Sequence, residues 1–253
     1  MKKLLLICAL LLGLLPNLLS ASTRAEVNVL EATENIRYLS QHLTRNYLYL
    51  YANPKKVEIE EILRKDLDKL VENIRTISLT TNDEDTKNIL EFLTYSKDQI
   101  EELLQKKPNK KDASLMLDYS ETLLEGANSI AKAHAYKFSE SEKMLMISKN
   151  MEFLAERSAK YYLALGIGLG TEINRRQMQE ALGALEKDLK IIDQYSYPLE
   201  LLKQREALGR FWEVSKSLYK RLDQLFVSNL LVLSTDQLET LSNHFVLYHR
   251  KNQ

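Results

Sequence analysis

The chain has 253 residues, with 35 basic and 35 acidic side chains, one cysteine, 7 glycines and 4 prolines. Balanced charge offers no basic face for nucleic acid, and Cys8 standing alone excludes an internal disulfide framework and a cysteine-ligated metal. Leu, Glu, Lys and Ala dominate while strand-like runs of Val, Ile and Thr are lacking, so the expected class is all-α.

The chain opens Met1, Lys2, Lys3, is almost wholly apolar over 4–19, and then carries the small residues Ser20, Ala21, Ser22, Thr23 and Ala25. This is the pattern of a secretory signal peptide over 1–25, with cleavage after Ala25 favoured over Ala21 or Ser22. The rival reading is an uncleaved membrane anchor. The apolar run falls short of the ~20 residues a spanning helix needs, and Pro16 interrupts it. Loss of 1–25 removes Lys2, Lys3 and Arg24 and no acid, leaving 32 − 35 = −3 and no cysteine. The expected location is periplasmic.

A first helix is expected over 27–51, because Leu30, Ile36, Leu39, Leu43, Tyr47 and Leu50 fall mostly on one face. Pro54 ends it. A second helix is expected over 57–78 on Ile59, Ile62, Leu63, Leu67, Leu70 and Ile74. Thr81 with Glu84 has capping-box spacing for a third helix that reaches about 105. Asp112 can cap the fourth. Amphipathic helices joined by short turns make an up-down four-helix bundle.

The stretch NIRYLSQHLTRNYLYL at 35–50 returns as NMEFLAERSAKYYLAL at 150–165, an offset of 115 residues with no gap. Asn35/Asn150, Leu39/Leu154, Tyr47/Tyr162, Leu48/Leu163 and Leu50/Leu165 are identical. Tyr38/Phe153, Gln41/Glu156 and Arg45/Lys160 are similar in size or charge. The offset persists to Asn128 and Asn243, so the repeat covers a whole bundle-sized unit. Two tandem four-helix units are therefore expected, 26–137 and 138–253. The second begins near Ser139, which can cap with Glu142. It breaks at Gly166 to Gly170 and at Pro198, and its third helix reaches about 226. Its last helix starts between Asn229 and Asp236: Asp236 with Glu239 has capping spacing, whereas the offset favours the earlier start. No Pro or Gly lies between 127 and 142. The units can stack end to end as a rod, or fold back side by side through a turn at 136–141.

RYLSQH at 37–42 resembles the R-M-L-S-Q-R motif in the first helix of the extracytoplasmic sensor modules of type IV pilus methyl-accepting chemotaxis transducers (PilJ-type). The nitrate/nitrite sensor kinases (NarX-type) carry a similar motif. Leu123, Leu124 and Asn128, and Leu238, Leu241 and Asn243, fit the signature near the end of each unit. The resemblance spans both units. It implies a four-helix sensor bundle in which a small anion sits between first helices paired across a dimer, held by the motif arginine. That arginine matches Arg37. Copy two has Glu152 in its place, and His42 and Arg157 stand at the motif's last arginine.

Arg37 is thus the candidate anion contact, since a guanidinium presents two parallel donors to an oxyanion. Ser40 and Gln41 lie one turn on and can add donors. The rival reading makes Arg37 a surface residue paired with Glu34 or Gln41. With the copies side by side, Arg37 is expected to face Glu152, whose carboxylate then occupies the anion's place. In a homodimer joining copy one to copy one, two Arg37 side chains meet and an anion relieves their repulsion. GIGLG at 166–170 has no preceding strand and no Lys-Ser/Thr, so it reads as a helix break and not a phosphate loop. His42, His134, His244 and His249 lack Glu-x-x-His spacing. Trp212 and the tyrosines 47, 49, 51, 161 and 162 read as packing residues. No nucleophile with a base, no metal set and no cofactor motif is found. The expectation is an exported, non-enzymatic sensor-like binding protein for a small anion such as nitrate or nitrite, relaying to a membrane partner. The alternative is a helical interaction module of the envelope, or of pilus or chemotaxis machinery, with no small ligand.

Overall fold

The structure is a computed structural model that describes residues 25–252 in full and only the helical backbone of residues 2–24; apart from Ala25, the expected signal peptide lies outside the fully described residues. The helices are α1 (Lys2–Ala52), α2 (Glu58–Thr80), α3 (Glu84–Leu104), α4 (Lys110–Ala133), α5 (Glu140–Gly166), α6 (Glu172–Gln194), α7 (Leu199–Lys220) and α8 (Ser228–Lys251). The protein is all-α, with no strand among the described residues. Nor is any helix among them long and apolar enough to cross a membrane.

Local chemistry sets most boundaries. Ser139 and Glu142 form a reciprocal capping box at the start of α5, as their spacing predicts. At α3 the cap is Asp83 instead of Thr81, its carboxylate accepting from the Thr86 N–H at 2.7 Å. Thr81 is already used as the extended residue that closes α2, and its hydroxyl accepts from the Asp83 N–H at 3.1 Å. Asn109, not Asp112, caps α4. The end of α5 is a defined stop. Gly168 adopts φ 73°, the Leu169 N–H reaches the Ala164 carbonyl at 2.9 Å, and the Gly168 N–H reaches Leu165 at 3.2 Å. These are the paired bonds of a Schellman cap. α7 stops at Lys220, short of the expected 226, and the turn that follows brings Phe226 back to stack on Tyr162 at 5.5 Å. α8 starts at Ser228, as the repeat offset predicts, and leaves Asp236 inside the helix.

α1 packs on α2 and α4, α5 packs on α6 and α8, and α1 packs on α5. The open choice at the junction is thereby decided. Residues 134–139 form the turn, and the units lie side by side. The cross-contacts Asn35–Lys149, Arg37–Asn150 and Arg45–Glu156 rise together along both helices, so α1 and α5 run parallel. Each therefore has neighbours on three sides. From Leu39 to Leu50 every residue but His42 is buried, and from Phe153 to Ala164 every residue but Arg157. Those two exceptions are themselves 157 − 42 = 115 apart. The expected one-sided amphipathic helix is in fact a central helix, apolar and polar alike turned inward. One hydrophobic core reaches across both units, joining Leu43 and Tyr47 to Tyr162, Leu218 and Val232, and a second cluster around Phe153, Trp212 and Phe245 fills the rest of the second unit.

Candidate functional site

The α1–α5 seam is built twice by the repeat. Asn35 donates to the Asn73 side-chain oxygen on α2 at 2.9 Å, and Asn150 donates to Asp188 on α6 at 2.7 Å. Asn73 and Asp188 are again 188 − 73 = 115 apart. Each asparagine oxygen accepts from a cation across the seam. Lys149 Nζ reaches Asn35 at 2.7 Å, and Arg37 Nη2 reaches Asn150 at 3.2 Å. Those cations stand at different repeat positions. Copy one has Glu34 and Arg37, while copy two has Lys149 and Glu152, the same pair with its charges exchanged.

The three motif residues do not converge. Arg37 Nη1 lies 2.7 and 2.6 Å from the two oxygens of Glu34, and its guanidinium sits 4.3 Å over the Phe153 ring. Its buried Nε has no partner. Ser40 is buried and donates to the Arg37 backbone carbonyl at 2.7 Å. Gln41 is buried too, donating to Ser40 at 2.8 Å and accepting from Arg157 at 3.4 Å. Side-by-side packing thus pairs Arg37 with Glu34 and Asn150 and not with Glu152. The cause is the parallel register, which sends positions 37 and 152 to opposite flanks of the seam. Arg37 is turned toward α6, and Glu152 toward α2 and α8.

Deeper in the seam lie two ionic networks, also related by the repeat. Arg45 holds Glu156 through two bonds of 2.9 and 3.0 Å and Asp236 through one of 2.8 Å. In the matched places, Lys160 and Arg157 hold Glu121, with Arg157 at 3.0 Å to each carboxylate oxygen. Burial opposes ionisation of Glu121, but Lys160 and Arg157 outweigh it and hold its carboxyl down to about 2. Beside Arg45, His42 Nδ1 meets Asp66 at 2.7 Å. His42, Glu156, Asp236 and Glu239 bring ligand atoms within 4.8 Å of one another. Arg45 already occupies the middle of that set, so the arrangement is an ion-pair network first. No family model, no curated protein and no solved structure matches this chain.

One part of the seam is open. A cleft of about 590 Å³ lies between α1, α2, α5 and α8, with Asn35, Tyr38, Lys149, Glu152, Glu239 and Arg250 on its walls. Its size falls in the usual range of small-molecule sites. Glu152 makes no hydrogen bond or ion pair among the described residues. Burial, reinforced by Glu239, pushes its carboxyl up to about 8. Burial pulls the Lys149 ammonium down. Glu239 accepts from the Tyr38 hydroxyl at 2.5 Å, and Arg250 pairs with Glu31 at 3.0 Å. Sequence reasoning singled out Glu152 only as a departure from the motif, and it passed over Lys149. The signal available was the charge exchange itself, since two of the repeat's otherwise matched positions swap sign.

Proposed function

We propose that this chain is a non-enzymatic, sensor-like binding protein of the cell envelope, exported to the periplasm, that takes a small solute with an anionic group and relays its presence to a membrane partner. The observation that carries this reading is the cleft beside the parallel α1–α5 pair, where Lys149 and Glu152 line the opening with no ion-pair partner among the described residues. The reading also draws on the resemblance of the motif on α1 and its repeat on α5 to PilJ-type and NarX-type modules. Within this reading the anion meets Lys149, because Arg37 already has a carboxylate in Glu34 and Arg250 has one in Glu31. Nitrate, nitrite and amino acids are the solutes to compare.

The test is thermal unfolding of the protein with nitrate, nitrite, sulfate, phosphate, acetate and amino acids at matched ionic strength. A ligand at 100 times its dissociation constant adds ~2.7 kcal/mol, a rise of several degrees for a chain of this size. The rise is expected to vanish in Lys149→Gln and to survive in Arg37→Gln. A rise lost only in Arg37→Gln returns the site to the motif arginine, and no rise with any solute rejects solute binding.

A second reading, a helical interaction module, is favoured by Phe92 and Tyr95, one turn apart on α3 and 67 % and 60 % exposed. It predicts that Phe92→Glu abolishes co-purification with an envelope protein while no solute shifts the melting temperature.

A further inference from the structure

We infer that the cleft between α1, α2, α5 and α8 is a site for a small zwitterion of the α-amino-acid class, its carboxylate on Lys149 and its ammonium between Glu152 and Glu239. This rests on the solute-binding reading above and narrows it.

The repeat supplies an internal control. Glu34 and Arg37 on α1 close on each other at 2.6 Å. Lys149 and Glu152 occupy the same two positions on α5, one turn apart on one face, where side chains three residues apart are neighbours. They are not ion-paired. Lys149 is 6 % exposed and spends one of its three donors, on Asn35. Glu152 spends none of its acceptor sites. Lys149 is buried with no counter-ion and Glu152 keeps its proton for want of a cation, so a ligand with the opposite pair of charges is what the two side chains lack.

The charge of the walls selects the class. Lys69 and Arg250 are already paired with Asp66 and Glu31, which leaves Lys149 facing Glu72, Glu152 and Glu239 on the walls. A site for a bare anion needs a positive excess, and this one has none. A ligand neutral overall but charged at both ends matches it. Glu239 has one oxygen bound to Tyr38, which leaves the other for an ammonium. Asn73, Asn243 and Thr240 add neutral donors and acceptors on the same walls.

Protons report the mode of binding. Glu152 stands among Glu31 and Tyr38 of α1, Lys69 and Glu72 of α2, Lys149 and Glu156 of α5, and Glu239 and Arg250 of α8. Its carboxyl is pushed up to about 8, so it holds its proton at pH 7 in the empty protein. An arriving ammonium favours the ionised form and expels that proton. A bare anion on Lys149 leaves Glu152 protonated and expels no proton from it.

The experiment is titration calorimetry of the protein at pH 7 in two buffers of different ionisation enthalpy. The probes are the twenty standard amino acids, acetate, methylammonium and nitrate. We expect one or more amino acids to bind with release of protons, while the three single-charge probes do not bind at the same concentrations. Glu152→Gln should weaken binding at least about tenfold, the scale of a lost charged hydrogen bond, and abolish the proton release. Lys149→Met should weaken binding similarly, and Arg37→Gln should leave it unchanged. Glu152→Gln replaces a carboxyl already neutral at pH 7 with a neutral amide, so its melting temperature should match the parent's, which separates lost binding from lost folding. Nitrate or acetate binding as tightly as any amino acid, or amino-acid binding without proton release, overturns the zwitterion and leaves solute binding standing. Binding by no probe overturns both.

Discussion

Arg45 shows what single residues contribute to this fold. It is fully enclosed, and both of its carboxylate partners, Glu156 and Asp236, come from the second half of the chain. Burying charges is unfavourable unless each finds its partner, so this pair joins the halves through specificity more than through net stability. Arg45→Met should therefore cost about 3–5 kcal/mol in urea unfolding, because Glu156 stays buried without its cation. Arg45→Met with Glu156→Met should recover most of that loss. A single variant that costs under about 1 kcal/mol, the scale of an exposed pair, would show that the pair is wet in solution. None of this was legible locally. Arg45 matches Lys160, and Gln41 matches Glu156, but charged residues are usually on the surface. Only a helix enclosed on three sides turns them inward. Arg37, which the motif made the most conspicuous residue, meets a carboxylate on its own helix.

At the scale of elements, the two glycines that close α5 act by different physics. Gly168 holds φ 73°, which a side chain resists on backbone grounds. Gly166 has an ordinary backbone, but a Cβ there collides with the Phe226 ring, which is wedged against Tyr162. Gly168→Ala should cost about 1 kcal/mol, and Gly166→Ala about 1–3 kcal/mol by overpacking. Adding Phe226→Leu should rescue Gly166→Ala and do nothing for Gly168→Ala, as read by thermal unfolding. Equal rescue of both would mean that the turn is set by packing alone. Helix signals were legible where the chemistry is local, as with the Ser139 box. They misled where a polar residue serves a distant partner. Asp236 and Glu239 have capping spacing, yet they lie inside α8 because Arg45 and Tyr38 bind them there.

The whole molecule depends on the seam between its repeats. A sequence repeat suggests units that fold alone, but the core continues from α1 into α5 and α8. Residues 26–137 expressed alone would expose Arg45, Gln41 and the α5-facing side of α1. That fragment should be unfolded, or should dimerise through α1 to rebuild the parallel pair, as judged by circular dichroism and light scattering. A stable monomeric fragment would show that the units are independent. In such a dimer the two Arg37 side chains take positions 37 and 152, on opposite flanks of the seam, so they do not meet as the sequence motif anticipates. In the intact chain α5 already takes that place, so α1 is paired without a second copy.

Helix content, helix number and the 115-residue repeat follow from the sequence by itself, because periodicity, caps and self-similarity are local or one-dimensional properties. Which charges are buried, which pair closes on itself and which stays open were decided by the parallel packing of α1 on α5. That packing brings together residues more than 100 positions apart, such as Arg45 and Glu156. A pattern read along one helix shows how many faces are apolar, but not how many neighbours that helix will have.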